Sequence, residues 1–434
     1  MRESAISIVR SLQEAGFTAY FAGGCVRDSL LGQAPKDYDI ATDASPDDVL
    51  SLYPRSETVG AHFGVVLVRL GGHHFDVATF REDGDYEDGR RPASVAFSTA
   101  KQDAKRRDFT LNGLFEDPIA GEVIDHVGGR ADLENRVIRA IGTAGERFEE
   151  DYLRMLRAIR FATRFGFKIE TDTWQALREN APRISAIAPE RIREELDKIW
   201  RSPNRLRGFD LLTESGLMAE ILPEILALRG CEQPPQFHPE GDVFVHTRLM
   251  LSKLAPEAPL EVVLSVLLHD IAKPATQTVD ADTGRIRFNG HDKLGAEMSV
   301  RILKRLAYSN AVIDAVSGAV SRHMQFINVQ QMNRSTLKRF MANEQFEAEM
   351  ELHRVDCLGS NGRLENYDFL RTKQEEFANE PIIPPPLLNG RDLIERGWSS
   401  GPELGKVLRL IQDLQLEGEL TNKEEALAWL EKQS

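Results

Sequence analysis

Short apolar runs punctuate the first 140 or so residues: "AYFAGG", "KDYDIAT", "VVLVRL", "HFDVATF" and "ASVAFS". Runs of this length, separated by short helical segments, predict the strands of a small sheet, and so an α+β fold. Between "ATF" and "ASVAF" lies "REDGDYEDGRRP", whose two Asp-Gly pairs and proline predict a mobile loop joining two strands. From about residue 145 the strand pattern stops. "ERFEEDYLRMLRAIRFATRFGF" has the spacing of one long amphipathic helix, and "PERIREELDKIWR" begins another with proline in its first turn. Residues 206–375 keep a helical pattern. The proline-rich "ANEPIIPPPLLNG" then precedes a helical tail, "PELGKVLRLIQDLQLEGELTNKEEALAWLEK".

A chain of 434 residues is too long for one ordinary core, so two to four domains are expected. The composition, 41% hydrophobic and 28% charged, is that of a globular protein. No run is long enough to cross a bilayer, and "MRESAISIVRSLQEAGF" lacks the apolar stretch of a signal peptide. Cys25, Cys231 and Cys357 stand far apart, which suggests neither a disulfide framework nor a thiolate zinc site. A cytoplasmic protein is expected, with no membrane partner. The net charge of −14 argues against a general nucleic-acid coat. Residues 147–208 depart from that balance, with 14 Arg or Lys against 10 Asp or Glu, so a local basic stripe could still hold RNA.

The candidate chemistry begins at "GGCVRDSLLGQAPKDYDIATD". On a strand, Asp37 and Asp39 share one face and Tyr38 and Ile40 the other. Two carboxylates so close repel, and a divalent cation between them removes the conflict; Mg²⁺ suits such hard oxygen ligands and completes its shell with substrate phosphates. Asp76, in "HFDVATF", could face the same ion. Gly23 and Gly24 lead into a helix, where bare backbone can approach a polyphosphate, with Arg27 and Asp28 in its first turn. A solvated edge strand and a plain turn are the bland alternatives for either fragment alone.

Four stretches, "GGCVRDSLLGQAPKDYDIAT", "RRDFTLNGLFEDP", "EEDYLRMLRAIRFATRFGF" and "PERIREEL", occur in an order that resembles class II tRNA nucleotidyltransferases. That group comprises CCA-adding, A-adding and CC-adding enzymes and bacterial poly(A) polymerases. The resemblance covers roughly the first 210 residues. It implies a polymerase-β-like head (1–142), a helical neck that binds the base (143–208), a helical body (209–378) and a tail that contacts tRNA (379–434). It implies Mg²⁺-dependent transfer from CTP or ATP to a tRNA 3′ end, with Asp37 and Asp39 holding the metal.

Along the neck, Arg154, Arg157, Arg160 and Arg164 recur at steps of three and four after Asp151. A solvated face with intrahelical ion pairs is the commoner meaning of such a stripe. Here one acid near the start serves four arginines poorly, so something else negative, or in need of donors, is expected. The resemblance assigns Asp151 and Arg154 to the incoming base, with Arg157 and Arg160 on base or phosphate. A carboxylate accepts from the amino group that cytosine and adenine share, whereas guanine and uracil offer it a carbonyl oxygen. In "KRRDFTLNG", Arg106 and Arg107 are expected to meet phosphate or ribose, and Asp108 and Asn112 to organise the turn. Loop residues Arg81, Asp83, Tyr86, Arg90 and Arg91 are candidates for repositioning the base-reading pair, as the resemblance links a full loop to addition of the terminal A.

A second constellation runs His246, His269-Asp270, His291, His323, Asp356 across about a hundred helical residues. This order resembles an HD-domain phosphohydrolase. By that resemblance His246, His269, Asp270 and Asp356 hold a second divalent metal, and His291 and His323 hold a further ion or phosphate. Whether such a site is active or a relic is left open. So are A addition to tRNA ending in CC, poly(A) synthesis, and a phosphohydrolase whose head only senses nucleotides; the chain alone does not give the oligomeric state.

Overall fold

The computed structural model describes every residue except 59–63, 85–94, 237, 379–380 and 433–434. The loop candidates Tyr86, Arg90 and Arg91 lie outside the described residues, as does the side chain of Asp83. Contacts divide the chain into two compact units, Met1–Pro223 and Glu224–Ser434.

The first unit is built on strands β1 (Ala19–Ala22), β2 (Ile40–Thr42), β3 (Glu57–Thr58), β4 (Val65–Leu70), β5 (His73–Thr79), β6 (Arg81–Asp83), β7 (Val95–Phe97), β8 (Leu114–Asp117) and β9 (Glu122–Asp125). Seven of them form one sheet in the order β3-β4-β5-β2-β1-β8-β9, and β6 pairs only with β7. All neighbours in the large sheet are antiparallel except β2 and β5, which run parallel with Ile40 opposite Val77. The two-residue period is plain in β5, where Phe75, Val77 and Thr79 are buried while His74 and Asp76 are exposed. Helix α1 (Arg2–Glu14) covers the sheet region with Ala5, Ile8, Val9 and Leu12, all fully buried. Each such large apolar side chain contributes on the order of 1.5–3 kcal/mol.

Three sequence expectations change. β2 begins at Ile40, so Asp37 and Asp39 lie in the extended segment leading into the strand. Pairing nonetheless reaches them: the Ala22 amide donates to the Asp39 carbonyl at 3.0 Å, and Asp37 and Asp39 are exposed while Tyr38 and Ile40 are buried. The neck is two helices, α3 (Ala144–Glu150) and α4 (Leu153–Phe165), broken where Asp151 takes an extended conformation (φ −155°, ψ 103°); α2 is the short helix Gly24–Leu30. Strands also continue past residue 145, as the pairs Val137–Ile138 with Lys168–Ile169 and Thr278–Val279 with Ile286–Arg287. The segment "PERIREELDKIW" forms α5 (Pro189–Trp200), with Pro189 in its first turn as expected.

The second unit is helical. Its site-bearing helices are α6 (Val243–Lys253), α7 (Leu260–Leu268), α8 (His291–Arg305), α9 (Asn310–Arg322) and α10 (Phe346–Gly359). Beyond residue 387 the chain has a cluster of its own, with Leu388, Leu393, Ile411, Leu420 and Leu430 buried together.

Candidate functional site

Asp39 sits one position ahead of Ile40, and Asp76 one ahead of its partner Val77, so the parallel pairing of β2 and β5 sets the two acids side by side. Burial pushes the Asp39 carboxyl up to about 6, the charges of Asp37 and Asp76 add to the rise, and only Arg107 opposes it. Solvent reaches one side of Asp39. Three acids with one guanidinium among them are under-neutralised, and carboxylate oxygens are the ligand type that a divalent cation takes.

Arg107 owes its place to two neighbours. Asp103, nearly fully buried, accepts from its Nη2 at 2.9 Å and from Nε at 3.2 Å. Gly23 supplies room: a Cβ there would stand 2.7 Å from Arg107 Nη1, and its φ of +69° disfavours any side chain. The Gly23 amide donates to the Leu114 carbonyl at 2.9 Å, so that group is committed to the pairing of β1 with β8 rather than to a polyphosphate. Arg106 shares Asp103, at 2.7 Å.

Arg27, Asp108, Asn112 and Arg157 form a buried network. Arg27 pairs with Asp28 at 2.7 Å, donates to Asn112 Oδ1 at 2.5 Å and lies over the rings of Phe161 and Phe165. The Asn112 amide donates to Asp108 Oδ1 at 2.8 Å, and Arg157 Nε donates to Asp108 Oδ2 at 2.7 Å. Burial alone would raise the Asp108 carboxyl, but Arg157, Asn112 and the Phe109 amide hold it down to about 2. The network ties α2, the turn Thr110–Asn112 and α4 together.

The arginine stripe therefore finds its missing negative charge inside the protein. Glu150 takes Arg154, Asp108 takes Arg157, and Asp28 takes Arg164 at 3.0 Å. Arg160 Nε lies 2.8 Å from Glu195 Oε2, too poorly aligned for a hydrogen bond, and burial lowers that guanidinium to about 10 despite the carboxylate. Asp151 does not pair with Arg154. It receives Arg191 of α5 at 2.7 and 3.3 Å, and its Oδ1 caps the Leu153 amide at 3.0 Å. Both contacts of Arg154, to Glu150 and to the Arg147 carbonyl, use Nη1; its Nη2 and Nε have no protein partner among the described residues. Glu150, Asp103, Arg191 and Glu195 escape a sequence reading because each acts through a partner.

In the second unit all six predicted residues converge. His246 lies on α6, His269 ends α7, His291 opens α8, His323 ends α9 and Asp356 lies on α10. Three imidazoles use one device: Nδ1 of His269, His291 and His323 faces the carbonyl three residues back, of Val266, Phe288 and Val320, at 2.9, 2.7 and 2.6 Å. A carbonyl only accepts, so Nδ1 carries the proton and each Nε2 is left a bare acceptor. His291 Nε2 and His323 Nε2 stand 3.2 Å apart with Asp270 Oδ1 at 3.4 Å from the first, and the buried His269 Nε2 has no hydrogen-bond partner. Burial lowers His323 to about 4, which keeps the ring neutral. Lys273 Nζ stands 2.6 Å from Asp270 Oδ2 and supplies one positive charge; the remaining nitrogen–oxygen acceptors are of the kind that could hold a transition metal. Two ligand groups result, His246–His269–Asp356 and Asp270–His291–His323, with ligand atoms within 4.8 Å in each. A third, His238–Glu240–His246, was not anticipated. Glu240 Oε1 lies 2.7 Å from His246 Nδ1 and 2.9 Å from His238 Nδ1; the signal was present in "HPEGDVFVH".

A nucleotidyltransferase-type sheet with three acids at one end, followed by helices, defines the class of protein. Residues 19–139 match the model of the poly A polymerase head domain, 166–228 that of the "Probable RNA and SrmB- binding site of polymerase A", and 293–430 a tRNA nucleotidyltransferase domain 2. The chain is 31% identical over 436 residues to the CCA-adding enzyme of Latilactobacillus sakei, covering 98% of this chain and 96% of that one. It is 45% identical over 220 residues to the CCA-adding enzyme of Geobacillus stearothermophilus, spanning 54% of that relative's length. Among solved structures it resembles the Bacillus stearothermophilus CCA-adding enzyme in complex with CTP, with a TM-score of 0.77, 29% identity, and coverage of 99% and 97% of the two chains. A Thermotoga maritima CCA-adding enzyme complexed with tRNA shares the fold, with a TM-score of 0.64 at 22% identity. The chain belongs to the CCA-adding enzyme family. Among the described residues no helix is long and apolar enough to cross a membrane.

Proposed function

We propose that this protein adds CCA, from CTP and ATP, to the 3′ end of tRNA by Mg²⁺-dependent nucleotidyl transfer. The observation that carries this is the under-neutralised group of Asp37, Asp39 and Asp76, in a chain whose relative along its full length is a CCA-adding enzyme. Bound there, Mg²⁺ would supply the charge that activates the 3′-hydroxyl and neutralises the triphosphate. Asp37 and Asp39 hold the ion, with Asp76 beside them. Arg107 and Arg106, fixed by Asp103, offer donors to phosphate. Gly23 and Gly24 open the approach, while Arg27, Asp108 and Asn112 brace the turn behind it. Asp151 accepts from the amino group of C or A, and the unpartnered nitrogens of Arg154 donate to the adjacent ring position. Arg191 holds the Asp151 carboxylate in place. Facing Asp151, the carbonyl of G or U sets one acceptor against another where C or A would donate, at roughly 1–3 kcal/mol for the lost contact.

Incubation with tRNA ending at the discriminator base, and separately with tRNA ending in CC, tests this when CTP, ATP or both are supplied and products are read at single-nucleotide resolution. C on the first substrate followed by A is expected. A on the second substrate alone makes this an A-adding enzyme, and long A tails a poly(A) polymerase.

The converging acceptors of the second unit favour a further reading, a metal-dependent phosphohydrolase of the HD type acting on phosphate esters. His246, His269, Asp270 and Asp356 hold the ion, with His291 and His323 on a second ion or on phosphate. Metal-dependent release of p-nitrophenol from its phosphate ester, lost in Asp270→Asn, is the expected result; equal turnover in the two proteins refutes it.

A further inference from the structure

Asp39 and Arg107 carry opposite charges at neighbouring positions, yet they do not pair. The Ala22 amide donates to the Asp39 carbonyl at 3.0 Å, and a Cβ on the next residue, Gly23, would stand 2.7 Å from Arg107 Nη1. The Arg107 charge is felt at the Asp39 carboxyl. Among the described residues, however, none of Asp37, Asp39 and Asp76 forms an ion pair with Arg107. A guanidinium this near an under-neutralised carboxylate ordinarily closes on it with two charge-assisted hydrogen bonds.

Three contacts hold the guanidinium back. Asp103 accepts from its Nε at 3.2 Å and its Nη2 at 2.9 Å, and the Asn112 carbonyl accepts from Nη1 at 3.3 Å. The Phe115 ring lies against Cζ, 5.2 Å from the ring centre. Asp103 is itself fixed. It is 1% exposed, belongs to the short helix Ala100–Lys105, and also receives Arg106 Nε at 2.8 Å and the Arg81 amide at 3.4 Å. Burial raises its carboxyl, but Arg107 and Arg106 hold it below the ordinary value, so it stays charged.

We infer that Asp103 is a positioning residue for the catalytic cation: it withholds Arg107 from Asp39 and so keeps the acids of the first unit open to Mg²⁺. Without the Asp103 carboxylate, Arg107 turns onto Asp39 and its charge takes the place of the ion's. Held as it is, Arg107 keeps a second N–H on both Nη1 and Nη2 for a phosphate oxygen. The inference rests on Asp37, Asp39 and Asp76 being the metal-binding acids, and adds the residue that keeps them available.

The test is Mn²⁺ binding by the full chain without nucleotide, followed by the paramagnetic resonance of the free ion. The ions that count are those lost when Asp37→Asn and Asp39→Asn are combined, which sets aside any Mn²⁺ held by the second unit. Asp103→Asn is expected to bind these ions about tenfold more weakly than the parent, as a fixed positive charge close to the acids would demand. Arg107→Met should bind them at least as tightly as the parent. The variant carrying both Asp103→Asn and Arg107→Met should match Arg107→Met, because Asp103 acts only through the arginine. A residue that merely supported the fold would weaken binding in both backgrounds. If Asp103→Asn alone melts early, the comparison of the double variant with Arg107→Met decides. Parent-like binding in a folded Asp103→Asn, or a double variant that binds more weakly than Arg107→Met, overturns the inference while the metal-site reading stands. Mn²⁺ uptake unchanged by Asp37→Asn with Asp39→Asn sinks both.

Discussion

Asp151 is gripped by Arg191, a residue 40 positions away on another helix, with nitrogen–oxygen distances of 2.7 and 3.3 Å. Arg154, its expected companion, is held instead by Glu150 and the Arg147 carbonyl. Asp151 is thus held by α5 and separated from Arg154 by the helix break. Asp151→Ala is expected to bind metal as the parent does and to lose selection of C and A over G and U. Arg191→Ala should retain that preference but lower kcat/KM by about tenfold, the worth of one charge-assisted contact. Misincorporation assays with each of the four nucleotides check both; unchanged base choice in Asp151→Ala removes the assignment.

Asp39 carries a stability cost at neutral pH. Its carboxyl is raised to about 6 in the folded protein, above the ordinary 3.8, so the folded state holds its proton more tightly than the unfolded state. Its contribution to stability is therefore full below about pH 4 and falls as pH rises toward 6. Asp39→Asn should melt at a higher temperature than the metal-free parent at pH 7.5, with the difference vanishing near pH 4. Calorimetry at the two pH values decides; a lower melting temperature for the variant at pH 7.5 contradicts the account.

Glu195 is 4% exposed at its side chain and faces both Arg160 and Lys198, at 2.8 and 3.0 Å. Removing it leaves Arg160 buried without its counter-charge. Glu195→Ala is expected to destabilise the first unit by about 3–5 kcal/mol in urea unfolding, whereas replacing both Arg160 and Glu195 with apolar residues of similar volume should cost far less.

Much of this architecture is legible in the chain because it is local. β4 and β5 show their period of two in "VVLVRL" and "HFDVATF", and the histidine order carried the second cluster because its ligands sit at helix ends with one repeated carbonyl contact. What stayed hidden depends on contacts far along the chain. Nothing in "EEDYLRML" announces a break at Asp151, since the apolar spacing runs on through it; the break is held by Arg191 and by the cap on Leu153. The hairpin β8–β9 is masked by "EDPIAGE", which reads as a turn with little strand around it. Arg157, Arg160 and Arg164 look exposed and unpaired until Asp108, Glu195 and Asp28 arrive from other elements.

Glu240 Oε1 lies 2.7 Å from His246 Nδ1, which also faces the Gly359 carbonyl at 3.3 Å, while Nε2 faces Asp356 at 3.0 Å. A carboxylate behind a metal-bound imidazole fixes its tautomer and raises its basicity. Glu240→Gln is expected to lower the affinity of the second unit for Mn²⁺ or Co²⁺ by roughly 10–100-fold, with an unchanged melting curve in the absence of metal. Competition against a chelator measures it, and an affinity equal to the parent's removes Glu240 from the site.

The most direct test of the whole account is single-turnover extension of a tRNA lacking its CCA by the parent and by the protein with Asp37→Asn and Asp39→Asn together, in Mg²⁺ with CTP and ATP. The expected result is CCA addition by the parent and a loss of about three orders of magnitude or more in the variant, which still binds tRNA. Extension by the variant at the parent's rate would mean that these acids do not hold the catalytic ion.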